Sequence, residues 1–392
     1  MDVKHKDVQD FINQHLHCTA AEIMLHASKF PEWDMKVVAQ QLVGKQLAKS
    51  KLPRWFVNDK ILYPIRLSME QCSSEATAAY KNQILAGGQG IDVTGGFGVD
   101  TYFLALKAKS VIYCEQNKDL AEIVKHNLDV LGQENHSVFS GDGVKHLDQC
   151  EGLDWVFIDP ARRSKNQRVF RLQDCDPNVI NIQDKLFEKA CQILIKTAPL
   201  LDIKQTLIDL RYVKEVHVVS VNNECKEVLY LLEKNFVGEV KIHCVNITKG
   251  NQETFCFTGT EEKATQTHLS NPQNYIYEAN SSIMKAGAFK SIAARYGLSK
   301  LHQNTHLYTS DKWVANFPGR SFKLLDVLSP NRKVLTKLKI QKANLSCRNY
   351  LQKVDVLKKK LKLKDGGDNY IFATTLSDGK PKLLWCKKVQ AK

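Results

Sequence analysis

Apolar positions in residues 1–80 recur at helical spacing in short stretches. "AEIMLHASKF" (21–30) and "DMKVVAQQLVGKQLAKS" (34–50) predict short amphipathic helices, followed by a loop around Pro53 and Pro64. From residue 90 the pattern changes. "GIDVT" (90–94) is a short apolar strand, a glycine cluster follows it, and "DTYFLALKAK" (100–109) predicts a helix with Asp100 and Thr101 in its first turn. Next come strand "SVIYCE" (110–115), helix "KDLAEIVKHNLDVLG" (118–132), and strands "HSVFSGD" (136–142) and "LDWVFIDP" (153–160). Helix "QDKLFEKACQIL" (183–194) and helix "IKQTLIDL" (203–210) precede strands at 213–221, 238–247 and 253–258. Strands alternating with helices at this pitch imply βαβ units, so the middle of the chain is expected to be a doubly wound α/β domain with a parallel sheet.

After about residue 270 the pattern changes again. Residues 283–300 predict helix, and "NTHLYTSDKWVANFPGRSFKLLDVLS" (304–329) predicts short strands and turns. The tail from Arg332 adds a lysine-rich helix "VDVLKKKLKLK" (354–364), a turn at Gly366–Gly367 and paired strands around "SDGK" (377–380), a small α+β unit. With 392 residues, several domains are expected. The divisions read as 1–80, 81–270, 271–325 and 326–392.

Charge changes this picture more than composition does. Residues 301–392 carry 20 Lys+Arg and 6 Asp+Glu, net +14, which is the excess of the whole chain. A basic end beside a neutral body points to a polyanion, with structured RNA or DNA ahead of an anionic membrane surface; a solvated lysine face is the plainer alternative. The first residues, "MDVKHKDVQDFINQHL", are mixed in charge and unlike a signal peptide, and no stretch is long and apolar enough to span a bilayer. A cytoplasmic location is expected. The 11 cysteines are scattered, with no C-x-x-C pair, which argues against a disulfide framework and against a metal site.

The candidate chemistry sits at strand ends. "DVTGGFGVD" (92–100) follows a strand and opens a helix, so its backbone N–H groups can approach a ligand closely. Glu115 ends the next strand, 23 residues after Asp92, where a carboxylate can accept both hydroxyls of a ribose; a solvated strand end would look the same. Asp142 in "SGDG" (140–143) ends the third strand, a position suited to an adenine amino group and also to a plain turn. Asp159-Pro160 in "FIDPARR" (157–163) ends the fourth, holding a carboxylate rigidly at the cleft. A glycine loop with Glu115 is also compatible with a nicotinamide-dependent Rossmann oxidoreductase, and a catalytically silent RNA-binding protein is a further alternative.

At these residues the chain resembles the class I S-adenosylmethionine-dependent methyltransferases. The resemblance is to the bacterial group with a ferredoxin-like segment and a THUMP-like C-terminal domain, near the cap guanine-N2 and trimethylguanosine synthase-like enzymes. It covers nearly the whole chain: "EQCSSEATAAYK" (70–81), "DVTGGFGVDT" (92–101), "DPARR" (159–163), "VFRLQDCDPNV" (169–179), "KTAPLLDI" (196–203), "SVNNECKEVL" (220–229), "NTHLYTS" (304–310), "FPGRSF" (317–322) and "DGGDNYIFATT" (365–375). The resemblance implies a Rossmann-like methyltransferase domain between an N-terminal helical region and a small basic C-terminal domain.

It further implies S-adenosylmethionine as cofactor. Thr94, Gly96 and Gly98 would line its methionine end after Asp92, Glu115 would bind the ribose and Asp142 the adenine. Asp159, Pro160 and Arg162 would face the methyl acceptor. Exocyclic-amine methyltransferases usually show Asn/Asp-Pro-Pro-aromatic where this chain has Asp-Pro-Ala-Arg, so the aromatic that stacks on a flipped base is missing there. Arg162, Arg163 and Lys165 suit phosphate clamping at the mouth of the site, and Lys358, Lys359 and Lys360 suit contact with RNA, a tRNA or rRNA, through the tail.

Overall fold

The computed structural model describes residues 4–85, 87–162 and 171–389. They divide into two compact units, Met1–Glu215 with Glu227–Gly238, and Val216–Lys226 with Glu239–Lys392. Among the described residues no helix is long and apolar enough to cross a membrane.

The first unit opens with helices α1 (Lys6–Gln14), α2 (Ala20–Met24) and α3 (Met35–Lys51). Their starts are set by side chains that replace missing helical hydrogen bonds: Thr19 and Glu22 form a reciprocal box at α2, and Asp34 accepts the N–H groups of Lys36 and Val37 at α3. Phe11, Ile12, Ile23, Val38 and Leu42, at helical spacing, close into one small core. Helices α4 (Pro53–Phe56), α5 (Arg66–Gln71) and α6 (Glu75–Ile84) lead to the sheet.

Strands β1 (Gly88–Asp92), β2 (Ala108–Glu115), β3 (His136–Ser140) and β4 (Trp155–Ile158) are joined by helices α7 (Val99–Ala105) and α8 (Lys118–Val130) and the short α9 (Gly143–His146). The two-residue strands β5 (Ala161–Arg162) and β6 (Cys175–Asp176) pair with each other. Helix α10 (Val179–Lys189), β7 (Gln192–Thr197) and α11 (Ile203–Asp209) follow, then β8 (Val213–Val221), which from Val216 on is counted with the second unit, and β9 (Glu224–Glu233), which from Glu227 on is counted with the first. Strands β1 to β4 and β7 are parallel, β9 is antiparallel to β7, and these strands lie in the order β3-β2-β1-β4-β7-β9. The order reverses around β1, which puts a crevice at the carboxyl ends of β1 and β4. Trp155 lies across β1 so closely that a Cβ at Gly90 would stand 2.0 Å from its ring, so only glycine fits there.

The doubly wound α/β expectation holds, with local differences. The helix expected over 183–194 stops at Lys189, and Gln192–Thr197 is instead the buried strand β7. Strand β9 was not marked by the sequence pattern. It forms because Asn222 and Asn223 both take positive φ, 50° and 64°, and turn the chain back on itself.

In the second unit β10 (Lys241–Thr248) pairs antiparallel along its length with β11 (Asn251–Thr258). A seven-stranded sheet follows, built from β12 (Tyr275–Ala279), β13 (Ser299–His302), β14 (Thr305–Ser310), β15 (Gly319–Leu328), β16 (Asn344–Arg348), β17 (Asn369–Thr375) and β18 (Pro381–Lys388). Its order is β13-β14-β12-β15-β18-β17-β16. The helix expected over 283–300 is two short ones, Ser281–Ala286 and Ser291–Arg295, because Gly287 takes φ +81° and ends the first. The lysine-rich helix ends at Leu361, where Lys362 adopts φ 55°.

Candidate functional site

Burial and close approach shape the loop between β1 and α7. Gly96 and Gly98 take φ of 54° and 70°. A Cβ on Gly95 would lie 2.1 Å from the Tyr113 ring, and one on Gly98 2.4 Å from Val124. The Tyr113 hydroxyl donates to the Gly96 carbonyl at 2.6 Å. Asp92 is buried behind the loop, where its carboxylate accepts the Thr94 N–H at 3.0 Å and the Thr101 hydroxyl at 2.6 Å. Burial pushes its carboxyl up to about 7 against those two hydrogen bonds.

The next two strand ends close on the same loop. Glu115 accepts the Gly96 N–H at 3.0 Å through one oxygen and the Asn117 N–H at 2.8 Å through the other. Asp142 starts α9, accepting the N–H groups of Val144 and Lys145 at 3.0 and 3.2 Å. A Cβ on Gly143 would stand 2.4 Å from the Val93 carbonyl, so the turn after β3 lies directly against the loop. The Thr94 hydroxyl accepts the Asp159 N–H at 2.6 Å, which ties the end of β4 to it as well.

A cavity of about 640 Å³ is lined by Thr94, Gly96, Gly98, Glu115, Asp142 and Asp159, together with Cys72, Ser73, Asp100, Asp176, Pro177 and Lys196. That volume is in the range of small-molecule sites. Six sequence-predicted residues therefore meet in one place. Asp92 stands behind the loop, and Pro160 is buried after Asp159. The backbone of Arg162 pairs with Cys175, while Arg163 and Lys165 lie outside the described residues. Lys358, Lys359 and Lys360 belong to the second unit, where Lys358 is ion-paired with Asp365 and Lys359 and Lys360 are exposed.

Sequence reasoning missed a buried charge cluster bordering the cavity. The Lys81 ammonium donates to Ser73 at 3.0 Å, Asp100 at 2.9 Å and Glu227 at 2.8 Å. Lys196 is ion-paired with Asp159 and stands 3.7 Å from the other Asp100 oxygen. Burial works against the Lys196 charge, yet Asp159, Asp100 and Glu227 hold its ammonium well above the usual lysine range. Burial also opposes ionisation of Asp100, but Lys81, Lys196 and Ser73 keep its carboxyl low. At Glu227 burial prevails and the carboxyl is raised. The available signal was a lysine inside an apolar run, "ILIKTAPL" (193–200).

Known proteins fit this geometry. Residues 275–318 match a ferredoxin-like domain model and residues 319–388 a THUMP domain-like model. The crystal structure of a protein named as a methyltransferase from Porphyromonas gingivalis W83 superposes with a TM-score of 0.88, at 33% identity over 98% of each chain. An uncharacterized S-adenosylmethionine-dependent methyltransferase of Mycobacterium tuberculosis is 22% identical over 341 residues, 86% of this chain and 89% of that one. An uncharacterized RNA methyltransferase of Mycoplasma mobile is 29% identical over 161 residues, 38% of this chain and 43% of its own. The cavity's chemistry suits the cofactor named for the Mycobacterium relative, because among the described residues each Glu115 oxygen accepts one amide and keeps a lone pair for a further donor. The chain uses S-adenosylmethionine and belongs to the class I methyltransferases that carry a ferredoxin-like segment and a THUMP-like C-terminal domain.

Proposed function

We propose that this methyltransferase acts in the cytoplasm on structured RNA, at a nucleobase of a tRNA or rRNA. The observation that carries the reading is the coincidence of a THUMP domain-like segment at 319–388 with the part of the chain that holds the net +14. The Mycoplasma relative named as an RNA methyltransferase supports it. The domain limits that go with the reading are a helical region 1–80, a methyltransferase domain 81–270, a ferredoxin-like segment 271–325 and a THUMP-like domain 326–392.

In this reading Glu115 accepts the ribose hydroxyls, already oriented by the Gly96 and Asn117 amides, and Asp142 faces the adenine. Thr94, Gly96 and Gly98 border the methionine end, and Asp92 sets the loop's shape. The cofactor supplies an electrophilic sulfonium methyl group. Transfer of that methyl then depends mainly on alignment and exclusion of water, with Asp159 at the rigid turn before Pro160 accepting a hydrogen bond from the acceptor. Arg162, Arg163 and Lys165 clamp phosphate beside it, and Lys358, Lys359 and Lys360 meet the RNA backbone.

Methyl transfer from labelled S-adenosylmethionine to RNA of a strain lacking the gene, with mass mapping of the product, tests the reading. Incorporation into one nucleotide of one RNA is expected; labelling of protein alone would overturn it. Docking is tested with Lys359→Ala and Lys360→Ala rather than by truncation at 301, which would leave only β12 of the seven-stranded sheet whole. Removing a lysine that binds phosphate is expected to flatten the log–log salt dependence of RNA affinity by roughly 0.7–0.9. An unchanged slope in the double variant would return those lysines to solvation.

A further inference from the structure

Four stretches of the chain, 70–81, 92–101, 196–203 and 220–229, contribute the cluster of Ser73, Lys81, Asp100, Lys196 and Glu227, none of which has a part in the reading above. We propose that Lys196 is a positioning residue of the methyl-transfer site, which holds the Asp159 carboxylate toward the acceptor and is itself held by the buried cluster behind it. The proposal rests on Asp159 facing the acceptor.

The strand register makes the connection. β7 runs parallel to β4 with Ile195 beside Ile158, so Lys196 and Asp159 leave the sheet as neighbours at its carboxyl edge. Asp159 is fixed twice, its N–H by the Thr94 hydroxyl and one carboxylate oxygen, Oδ2, by the Lys196 ammonium. Its Oδ1 has no hydrogen bond among the described residues and belongs to a side chain that lines the cavity. A carboxylate held in this way presents a single aimed acceptor. An untethered Asp159 would sample several rotamers and lose that alignment.

The cluster behind Lys196 is built for rigidity. A buried lysine is tolerated only when its charge and its donors are met. Lys81, fully buried, directs its three donors to three partners, Ser73, Asp100 and Glu227, so none is left to move. Asp100 gives one oxygen to Lys81, and the other accepts the Ser73 hydroxyl at 2.7 Å and stands 3.7 Å from Lys196. Lys196 thus has a carboxylate on each side, one locked and one facing the cavity. Because the Lys196 charge persists far above neutral pH, its ammonium remains a donor to Asp159 Oδ2 throughout the working range.

The test uses the full-length protein with Lys196→Met, Lys196→Arg, Asp159→Asn and the double Lys196→Met/Asp159→Asn, each checked for its thermal transition. Calorimetry with S-adenosylhomocysteine is expected to show affinities within about threefold of the parent. Methyl transfer to RNA from the strain lacking the gene is expected to fall about 100-fold in Lys196→Met, through kcat rather than KM. The double variant should be no slower than the worse single one, and Lys196→Arg should recover at least about tenfold over Lys196→Met. Undiminished transfer in Lys196→Met, or losses that multiply in the double variant, would overturn the proposal. A second readout needs no RNA. The nitrogen-15 ammonium resonance that vanishes in Lys196→Arg should shift in Asp159→Asn, and an unmoved resonance would overturn the proposal even where Lys196→Met fails to fold. A parent that binds S-adenosylhomocysteine and shows this shift, yet methylates no RNA, would overturn the RNA reading while supporting the link between Lys196 and Asp159.

Discussion

Lys81 in the first unit and Glu278 in the second are both buried and both sit at the centre of a charge cluster, but their partners differ. Around Lys81 the acids Asp100 and Glu227 are themselves buried, with side chains 10% and 3% exposed. Around Glu278, Arg320 and Arg348 are 35% and 39% exposed and reach in from solvent. Arg348 makes two bonds to one Glu278 oxygen, at 2.6 and 3.0 Å, and Arg320 pairs with the other. The second arrangement ties β12, β15 and β16 together while more than a third of each arginine side chain stays in water, so its desolvation cost is lower. The first removes an ammonium and the Glu227 carboxylate from water almost entirely and leaves the Asp100 side chain 10% exposed. Such a cost is hard to justify by stability, since an apolar core of equal volume would do as well or better. Its position beside the methyl-transfer cavity gives it a different use, the fixing of Lys196.

The contrast is broken most directly at Lys81. Lys81→Met leaves Asp100 and Glu227 buried without the ammonium that bonds both, with only Lys196 near them, and a loss of about 3–5 kcal/mol in the denaturant stability of the first unit is expected. Lys81→Met/Glu227→Leu should recover part of it. A loss below about 1 kcal/mol would mean that these groups are not charged together. Glu278→Gln is expected to cost less, about 1.5–3 kcal/mol in the second unit's thermal transition, because the two arginines released already have more than a third of their side chains in water. A cost at Glu278 equal to that at Lys81 would erase the distinction. Smaller again is the effect of Glu115→Ala on binding, with S-adenosylhomocysteine weakened about tenfold, ~1.4 kcal/mol, by calorimetry. An unchanged dissociation constant would remove Glu115 from the site.

The parts of the site that lie on one strand end each were legible in the sequence, and the parts that depend on packing between distant segments were not. Glu115, Asp142 and Asp159 end apolar runs, and the glycines between Asp92 and Asp100 announce a tight loop, so local pattern was enough to bring them to one edge of the sheet. Asp92 belongs to the same pattern, but its carboxylate turns inward to Thr94 and Thr101, a choice made by the loop's own hydrogen bonds. Lys81 and Glu227 are 146 residues apart and meet only because α6 packs beside the sheet near β9. In the second unit the same reason hid His217 and His243, whose rings stack at 4.5 Å, with the Cys256 sulfur 3.2 Å from the His243 Nδ1. The sequence shows no His beside Cys256, because the pairing of β10 with β11 supplies the neighbour.

The smallest expected effect sharpens the comparison from the other side, since the second unit holds a titratable group in its neutral form where the cluster of the first favours the charged forms of Asp100 and Lys196. His306 stacks on Phe289 with ring centroids 3.5 Å apart, and its Nδ1 is buried without a hydrogen-bond partner among the described residues. Burial, then the nearby charges of Lys300 and Arg348, lower its imidazole to about 4. The folded form therefore prefers the neutral ring, and the stability this group contributes is complete above the unfolded value near 6.5 and is lost as pH falls from there through about 4. His306→Phe keeps the stacking and removes the titration, so its stability relative to the parent should rise as pH is lowered from about 7.5 to about 4.5. The ring is only half buried, and screening by solvent limits the change to under ~1 kcal/mol. Amide hydrogen exchange at Leu307 and Tyr308, next to the ring on β14, reads the effect without the carboxylates of the first unit. A difference between parent and variant that stays constant across that range would show that His306 takes up its proton in the folded protein without penalty.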